Sequence, residues 1–237
     1  EEFLEGFEVS YFAFFDKNGY AKLGYALDHK RAFDNDIGPN TGGMGAFCPS
    51  KMLTRKIEKE IEEKILVPTF IGLREEKFIY RGILFFGLMI TNTGPFVIEY
   101  NVRFGDPECQ VLLRNLQTDF LKIIELNLKD KLKDLRIRND KKSVICVVLA
   151  SKGYPGNFKK DKVLNNLSKA NCLKGVEIFH AGTSLRENKI VSSGGRVLSI
   201  TAKADSISSA RKLAYKALSI ISWKEGFYRK DIGQKNL

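Results

Sequence analysis

Val9–Phe15 reads VSYFAFF, with apolar side chains at almost every position and no alternation that would leave one face polar. A strand solvated on one side alternates, so a run of this kind needs cover on both faces and paired neighbours at its edges. Asp16-Lys17-Asn18-Gly19 follows as a turn signal, and Tyr20–Leu27 is the expected return strand of a hairpin. The chain therefore has to build a sheet with layers on both sides. Its 237 residues, 43% hydrophobic and 28% charged, supply a packed core for one or two domains. The longest apolar stretch, Ile83–Ile90, is broken by Gly87 and falls far short of the ~20 residues that span a bilayer, so no membrane partner is expected. Four cysteines without a C-x-x-C pair, and only two histidines, support neither a zinc cage nor a disulfide framework, and a reducing cytoplasm is the simplest setting. Glu1 and Glu2 open the sequence without Met or a basic segment, which argues against a signal peptide and for a missing N-terminal part.

Further along, Leu53, Ile57, Ile61 and Ile65 recur every fourth residue and predict a helix over Lys51–Leu66, capped by Ser50 and ended by Pro68. Tyr80–Thr91 and Phe96–Arg103 are two expected strands joined through Asn92-Thr93-Gly94-Pro95. A second helix should start with Asp106 at the N-cap, Pro107 at the first helical position and Glu108 beside the positive end of the dipole, with a break near Thr118. The basic, polar stretch Lys129–Lys142 has the composition of a linker, which puts a domain boundary near residue 138. Beyond it lie an apolar run Val144–Ala150, short strands near Glu177–Ala181 and Arg196–Ala202, and a helix over Ser206–Ser222 with Ile207, Ala210, Leu213, Ala214, Ala217, Leu218 and Ile221 on one face. The net charge of +11 favours anionic partners, but no helix-turn-helix, zinc-finger or RNP-like pattern accompanies it, so a nucleic-acid-binding module is the weaker reading.

The chemistry concentrates in Glu99-Tyr-Asn-Val-Arg103. In a strand, Glu99, Asn101 and Arg103 share one face while Ile98, Tyr100 and Val102 face another layer. A carboxylate and an amide oxygen roughly 7 Å apart along a strand can lean onto one hard divalent cation shared with phosphate oxygens. A guanidinium one pleat on would meet the phosphate. The alternative is a solvated strand face with a Glu–Arg pair. Gly38-Pro-Asn-Thr-Gly-Gly-Met-Gly45 places four glycines in eight positions, either a flexible loop or one whose backbone N–H groups approach an anion.

The stretches Glu99–Glu108 and Asp28–Ala46, with Glu1–Glu8, Gly82–Met89, Leu149–Gly156, His180–Thr183, Gly194–Leu198 and Tyr228–Gly233, closely resemble the phosphoribosylamine–glycine ligases, or glycinamide ribonucleotide synthetases, among the ATP-grasp enzymes. The likeness runs from the first residue nearly to the last. It implies an α+β fold: residues 1–138 as the C-terminal portion of an ATP-grasp domain, an antiparallel sheet with helices, then residues 139–237 as a smaller α/β domain rich in short strands. The activity it implies joins glycine to 5-phosphoribosylamine with ATP as co-substrate, through glycyl phosphate, in purine biosynthesis. Carried over by position, Glu99 and Asn101 are the ligands of Mg²⁺ or Mn²⁺, and Arg103 sits near the transferred phosphate. Glu1, backbone groups at Phe3 and Leu4, Glu8 and Lys30 belong to the ATP site. Asp28, Pro39, Asn40, Thr41, Gly42, Gly43 and Asp106 belong to the glycine or phosphoribosylamine site. His29, His180 and Arg196 are expected to be structural. The family's N-terminal domain and the first part of its ATP-grasp module have no counterpart here, so a fragment without independent activity is the second reading.

Overall fold

The computed structural model describes residues 2–234. In chain order the elements are β1 (Phe7–Phe15), β2 (Tyr20–Asp28), β3 (Arg31–Phe33), β4 (Ile37–Asn40), β5 (Gly45–Cys48), α1 (Arg55–Ile61), α2 (Val67–Glu75), β6 (Gly82–Thr91), β7 (Gly94–Asn101), α3 (Glu108–Asn115) and α4 (Phe120–Leu128). They continue with β8 (Ser143–Ser151), α5 (Leu167–Asn171), β9 (Val176–His180), β10 (Thr183–Arg186), β11 (Lys189–Ser192), β12 (Arg196–Ala204), α6 (Ile207–Ile220) and β13 (Gly226–Phe227). All paired strands described here run antiparallel, and the fold is α+β. The chain divides into two compact units, but not at one point. Among the described residues, the first unit takes the chain up to Leu27, Pro49–Gly105 and Leu116–Asp140; the second takes Asp28–Cys48, Asp106–Asn115 and the chain from Lys141 on. A single boundary near residue 138, as composition suggests, misses the two early segments that join the second unit, because what assigns them is pairing and packing with residues a hundred positions away.

In the first unit the sheet order is β7-β6-β1-β2. Strand β1 is central and buried on both faces, as its sequence requires, with Phe12 at 0% and Phe15 at 1% exposure. Each such phenylalanine contributes about 1.5–3 kcal/mol by burial. On one face Phe15 packs on Phe86, tilted at 5.9 Å between ring centroids, and Tyr20 lies 6.1 Å from Phe70 of α2. On the other, Phe104 lies 6.0 Å from Phe12, and Phe14 meets Phe120 of α4 at 6.2 Å.

The first helix departs from expectation at both ends. Thr54, not Ser50, caps it, with its hydroxyl accepting from the Ile57 N–H at 3.3 Å. It runs past Pro68 to Glu75, because a π turn over Glu62–Leu66 precedes the proline and the Val67 N–H bonds back to Glu62. That wider turn relieves the clash between a proline ring and the preceding turn's carbonyl. Strand β7 ends at Asn101, so Arg103 lies beyond it. Ile98 is an extra residue in the pairing, since Gly87 faces Glu99 while Leu88 faces Val97. Ile98, Tyr100 and Val102 do not enter a second buried layer: they are 47%, 52% and 73% exposed, on or just past the strand at the end of the sheet order.

Lys129–Lys142 is not a loose linker. Asp16 is buried, accepts the N–H groups of Asn18 and Gly19 at 2.8 Å each, and with its second oxygen takes the Leu132 N–H at 2.7 Å. Arg81 holds Asp130 with two bonds at 2.8 and 2.7 Å, the Asn139 amide reaches the Leu23 carbonyl at 2.7 Å, and Leu132 is fully buried. Composition registers the charges of this stretch but not the acceptors awaiting its backbone.

The second unit is a three-layer arrangement around the strands β5-β8-β12-β9, with β13 on the end of β8. Every residue of β8 is buried. Residues Cys48, Val144, Cys146 and Thr201 share the face that α3 covers, where the Asn115 amide meets the Cys48 sulfur at 3.6 Å. Phe47, Ile145, Val147 and Ile200 face α6. Helix α6 is capped by Ser206, whose hydroxyl accepts the Ser209 N–H, and buries Ile207, Ala210, Ala214, Ala217 and Leu218, as the sequence periodicity predicts. The four cysteines are free thiols. Among the described residues no helix is long and apolar enough to cross a membrane.

Candidate functional site

Two groups of predicted residues emerge, one in each unit. In the first unit the register sets Ser10, Gly87 and Glu99 side by side across three strands, and Phe12, Phe85 and Asn101 in the next row on the same face. Glu8, two residues before Ser10 on β1, belongs to that face too. A Cβ on Gly87 would lie 2.8 Å from Glu99 Cγ and 3.5 Å from its Oε1, so the missing side chain is what lets Glu99 lie across β6. Phe12 and Phe85, 5.1 Å apart between centroids, form the apolar floor beside the polar strip. Glu99 is exposed and Asn101 half-buried. Two oxygen donors on one face, with a glycine opposite the first, suit a hard divalent cation whose remaining ligands are water and phosphate oxygens. Arg103 is exposed just past the strand and donates from Nη1 to the Phe104 carbonyl at 3.0 Å. Phe3 is 87% exposed and Leu4 half-buried on the irregular segment before β1, where backbone groups are not committed to a strand. Glu1 lies outside the described residues.

In the second unit the β3–β4 hairpin carries the exposed Pro39 and Asn40, and the glycine-rich loop follows it back to β5. The loop does not offer a row of spare N–H groups to an anion. Thr41 N–H goes to the Lys30 carbonyl at 2.7 Å, Gly42 N–H to the Tyr154 hydroxyl at 3.1 Å, Gly43 N–H to Thr41 Oγ1 at 3.1 Å and Met44 N–H to the His29 carbonyl at 2.8 Å. Four consecutive donors are already engaged, so what the loop presents is side chains. Gly43 has φ +112°, and a Cβ there would lie 2.5 Å from Pro107 Cδ and 3.0 Å from Asp28 Oδ1. That close approach sets the Asp28 carboxylate and the Asp106 backbone carbonyl, the latter 3.1 Å from the same position, against one residue of the loop. Asp28 Oδ1 accepts its neighbour's N–H, from His29, at 2.7 Å. Helix α3 starts at Glu108, and the Asp106 carboxylate, expected at the N-cap, is met by Gln110 Nε2 at 3.2 Å and Arg196 Nη2 at 3.3 Å. Lys30 is half-buried beside this loop.

An ionic cluster near the hairpin was not anticipated. Arg229, with a fully buried side chain, pairs with Asp36 at 2.9 Å and Asp231 at 2.6 Å and donates to the Arg31 carbonyl at 3.0 Å. Asn35 and Asp36 take left-handed φ of 61° and 55°, a strained pair held by Asn35 N–H to Asp231 at 2.9 Å and Lys230 N–H to Asp34 at 2.7 Å. The signal in the sequence was the Arg-Lys-Asp spacing at 229–231, read there as part of a motif without a role. His29 packs on Phe47 at 5.9 Å, and its Nδ1 is buried without a partner. Burial, then the nearby Arg229 charge, lower its pKa from 6.5 to about 4, against the pull of Asp36 and Asp231. It is a neutral, structural histidine at neutral pH. His180 bonds the Thr183 hydroxyl at 3.0 Å.

Comparison with known proteins gives a consistent result. Residues 1–109 match the family model described as phosphoribosylglycinamide synthetase, ATP-grasp (A) domain, and residues 144–235 match the corresponding C domain. A phosphoribosylamine–glycine ligase of Brucella melitensis is 47% identical over 233 residues, covering 98% of this chain and 55% of the relative. A chloroplastic phosphoribosylamine–glycine ligase of Arabidopsis thaliana is 46% identical over 241 residues, covering all of this chain and 45% of the relative. The crystal structure of phosphoribosylamine–glycine ligase from Thermotoga maritima superposes with a TM-score of 0.88 at 33% identity, covering 98% of this chain and 57% of that one. The chain thus spans about half the length of the relatives it matches.

Proposed function

Because the chain belongs to the phosphoribosylglycinamide synthetase family, we propose that it supplies the metal-binding and amine-side portions of an ATP-dependent ligase that joins glycine to 5-phosphoribosylamine. The observation that carries this reading is the strip of Glu8, Glu99 and Asn101 on one sheet face, with Gly87 clearing the space before Glu99. In the first unit Glu99 and Asn101 hold Mg²⁺ or Mn²⁺, Arg103 meets the transferred phosphate, Glu8 accepts from the ribose hydroxyls, and backbone groups at Phe3 and Leu4 meet adenine. The bound metal offsets negative charge on the phosphates during transfer. In the second unit Asp28, Asp106, Asn40 and Thr41 recognise the amine-bearing substrates, Gly42 and Gly43 shape the loop around them, and Lys30 supports the phosphate side.

The reaction proceeds in two steps. A glycine carboxylate oxygen attacks the γ-phosphorus and ADP leaves, giving glycyl phosphate. The phosphoribosylamine nitrogen then attacks the acyl carbon, phosphate leaves, and the nitrogen loses a proton. The protein's part is placement and charge: a guanidinium fork on phosphate and carboxylates toward the amine. No nucleophilic side chain is required. Burial pushes the Cys48 thiol up to about 12 and Cys109 to about 11, so neither is an ionised nucleophile at neutral pH. The test is glycine-dependent ADP release, with glycinamide ribonucleotide confirmed by mass, measured on this chain alone and on the chain joined to the portion of its relatives that it does not span. Glu99→Gln should lower kcat by at least a hundredfold and raise the Mg²⁺ requirement while the melting temperature holds. Wild-type turnover in that variant would remove Glu99 from the mechanism.

A further inference from the structure

Three glycine-containing stretches, Leu149–Gly156, His180–Thr183 and Gly194–Leu198, stand apart from the metal strip and from the glycine-rich loop in sequence, and the proposed chemistry assigns them nothing. In the second unit the first and third reach one residue of that loop, Gly42, and the second packs against the backbone of the third. Arg196 Nη1 donates to the Gly42 carbonyl at 2.8 Å, to the Asp106 carbonyl at 2.5 Å and, more weakly, to the Gly43 carbonyl at 3.3 Å. On the other side of Gly42, its N–H donates to the Tyr154 hydroxyl at 3.1 Å.

The same stretches build the support for both side chains. A Cβ on Gly195 would lie 2.3 Å from Tyr154 Cδ2, so only glycine admits the tyrosine ring there. Gly194 lies against Gly182 so closely that a Cβ on Gly182 would be 2.6 Å from the Gly194 Cα. The Ser193 N–H bonds the Gly182 carbonyl at 2.8 Å, the Gly182 N–H bonds the Arg196 carbonyl at 2.9 Å, and the Ser151 N–H bonds the Gly195 carbonyl at 2.8 Å. The backbone under Arg196 and Tyr154 is therefore fixed from both sides, as a rigid seat for two polar tips requires.

We infer that Arg196 and Tyr154 are positioning residues that latch the Gly42–Gly43 loop into its substrate-binding shape, a conclusion that rests on the proposed role of that loop. The distances divide the work of Arg196. Its short bonds go to carbonyls, which are part of the loop and of the α3 approach. Its contacts with the Asp106 carboxylate are long, 3.4 Å to Oδ1 and 3.3 Å to Oδ2. A substrate ammonium or amine can take that carboxylate without unfastening the loop, because the carbonyl bonds stay in place. The latch thus acts on recognition of the amine-bearing substrates and leaves metal and nucleotide binding untouched.

The test has two arms. In the first, amide hydrogen exchange is followed on this chain for wild type, Tyr154→Phe, Arg196→Gln, Arg196→Lys and Gly195→Ala. Exchange at Gly42 should accelerate about tenfold or more in Tyr154→Phe and Gly195→Ala, and across Gly42–Met44 in Arg196→Gln, while amides in β8 and β12 stay protected and the melting temperature holds. Arg196→Lys keeps the charge but loses the fork and should fall between. In the second arm, with enzyme that turns over, KM for glycine or phosphoribosylamine should rise about tenfold in Tyr154→Phe and Arg196→Gln, with KM for ATP and kcat within threefold of wild type. Unchanged exchange at Gly42–Met44, or acceleration spread evenly over the unit, would overturn the latch. If wild type makes no product, the proposed function fails, and the exchange arm still decides whether the latch exists.

Discussion

His29 should make the second unit sensitive to acid in a window set by a single side chain. In the unfolded chain an imidazole titrates near 6.5; in the fold it stays neutral down to about 4, because its environment is buried and lies beside Arg229. Between those values the unfolded state binds a proton that the native state refuses, so stability falls as pH drops from 6.5 to 4 and is unaffected above 6.5. Two and a half pH units at about 1.4 kcal/mol each set a ceiling of roughly 3.5 kcal/mol, and because the residue is half-buried and not fully enclosed, about 2 kcal/mol is expected. Asp231 acts in a lower window. Burial raises its carboxyl, but the bonds from Arg229 and the Asn35 N–H outweigh this and bring it to about 2, so its contribution holds above 3.8 and is lost only as pH falls through 2. The assay is urea unfolding followed by Trp223, the single tryptophan of the chain and a member of the second unit, at pH 7.0, 5.5 and 4.5. His29→Gln, neutral at every pH, should be less stable than wild type at pH 7 through lost packing on Phe47, and should close that gap by about 2 kcal/mol at pH 4.5. A gap that stays constant across the three pH values would refute the reasoning.

Two further substitutions test the first unit. Gly87→Ala places a methyl 2.8 Å from Glu99 Cγ and should displace that carboxylate from the strip, raising the Mg²⁺ concentration for half-maximal turnover about tenfold with no loss in melting temperature; an unchanged Mg²⁺ titration would separate Glu99 from the metal. Asp16→Ala removes the acceptor of three backbone N–H groups and should cost roughly 3 kcal/mol in urea unfolding, with Asp16→Asn intermediate; a loss below 0.5 kcal/mol would show that water replaces the carboxylate freely.

What could be read beforehand was what depends on neighbours along the chain. The doubly apolar β1, the hairpin turn at Asp16–Gly19, the α6 stripe and the shared face of Glu99 and Asn101 follow from periodicity and turn chemistry. What escaped depends on distant partners. Asp28–Cys48 belongs with the second unit because β5 pairs with β8, and no local pattern encodes that. The free look of Lys129–Lys142 came from its lysines, while its backbone is claimed by Asp16. The glycine-rich loop reads either as flexible or as an anion-approaching backbone, and neither reading includes the residues that engage its N–H groups, such as Tyr154, because they lie elsewhere in the sequence. Pro68 failed to end its helix because a π turn is a tertiary accommodation with no clear sequence signature.

The clasp of Asp16 on Leu132 spans 116 positions of chain, and that separation has a consequence during synthesis. A ribosome adding about 5–20 residues per second leaves the β1–β2 turn waiting on the order of 6–23 s before the amide that completes its carboxylate emerges. Throughout that interval VSYFAFF, apolar on both sides, is out of the tunnel without its later-made cover, α4 included. Codon changes that slow elongation between Asn18 and Leu132 should therefore lower soluble yield more than the same changes placed after it.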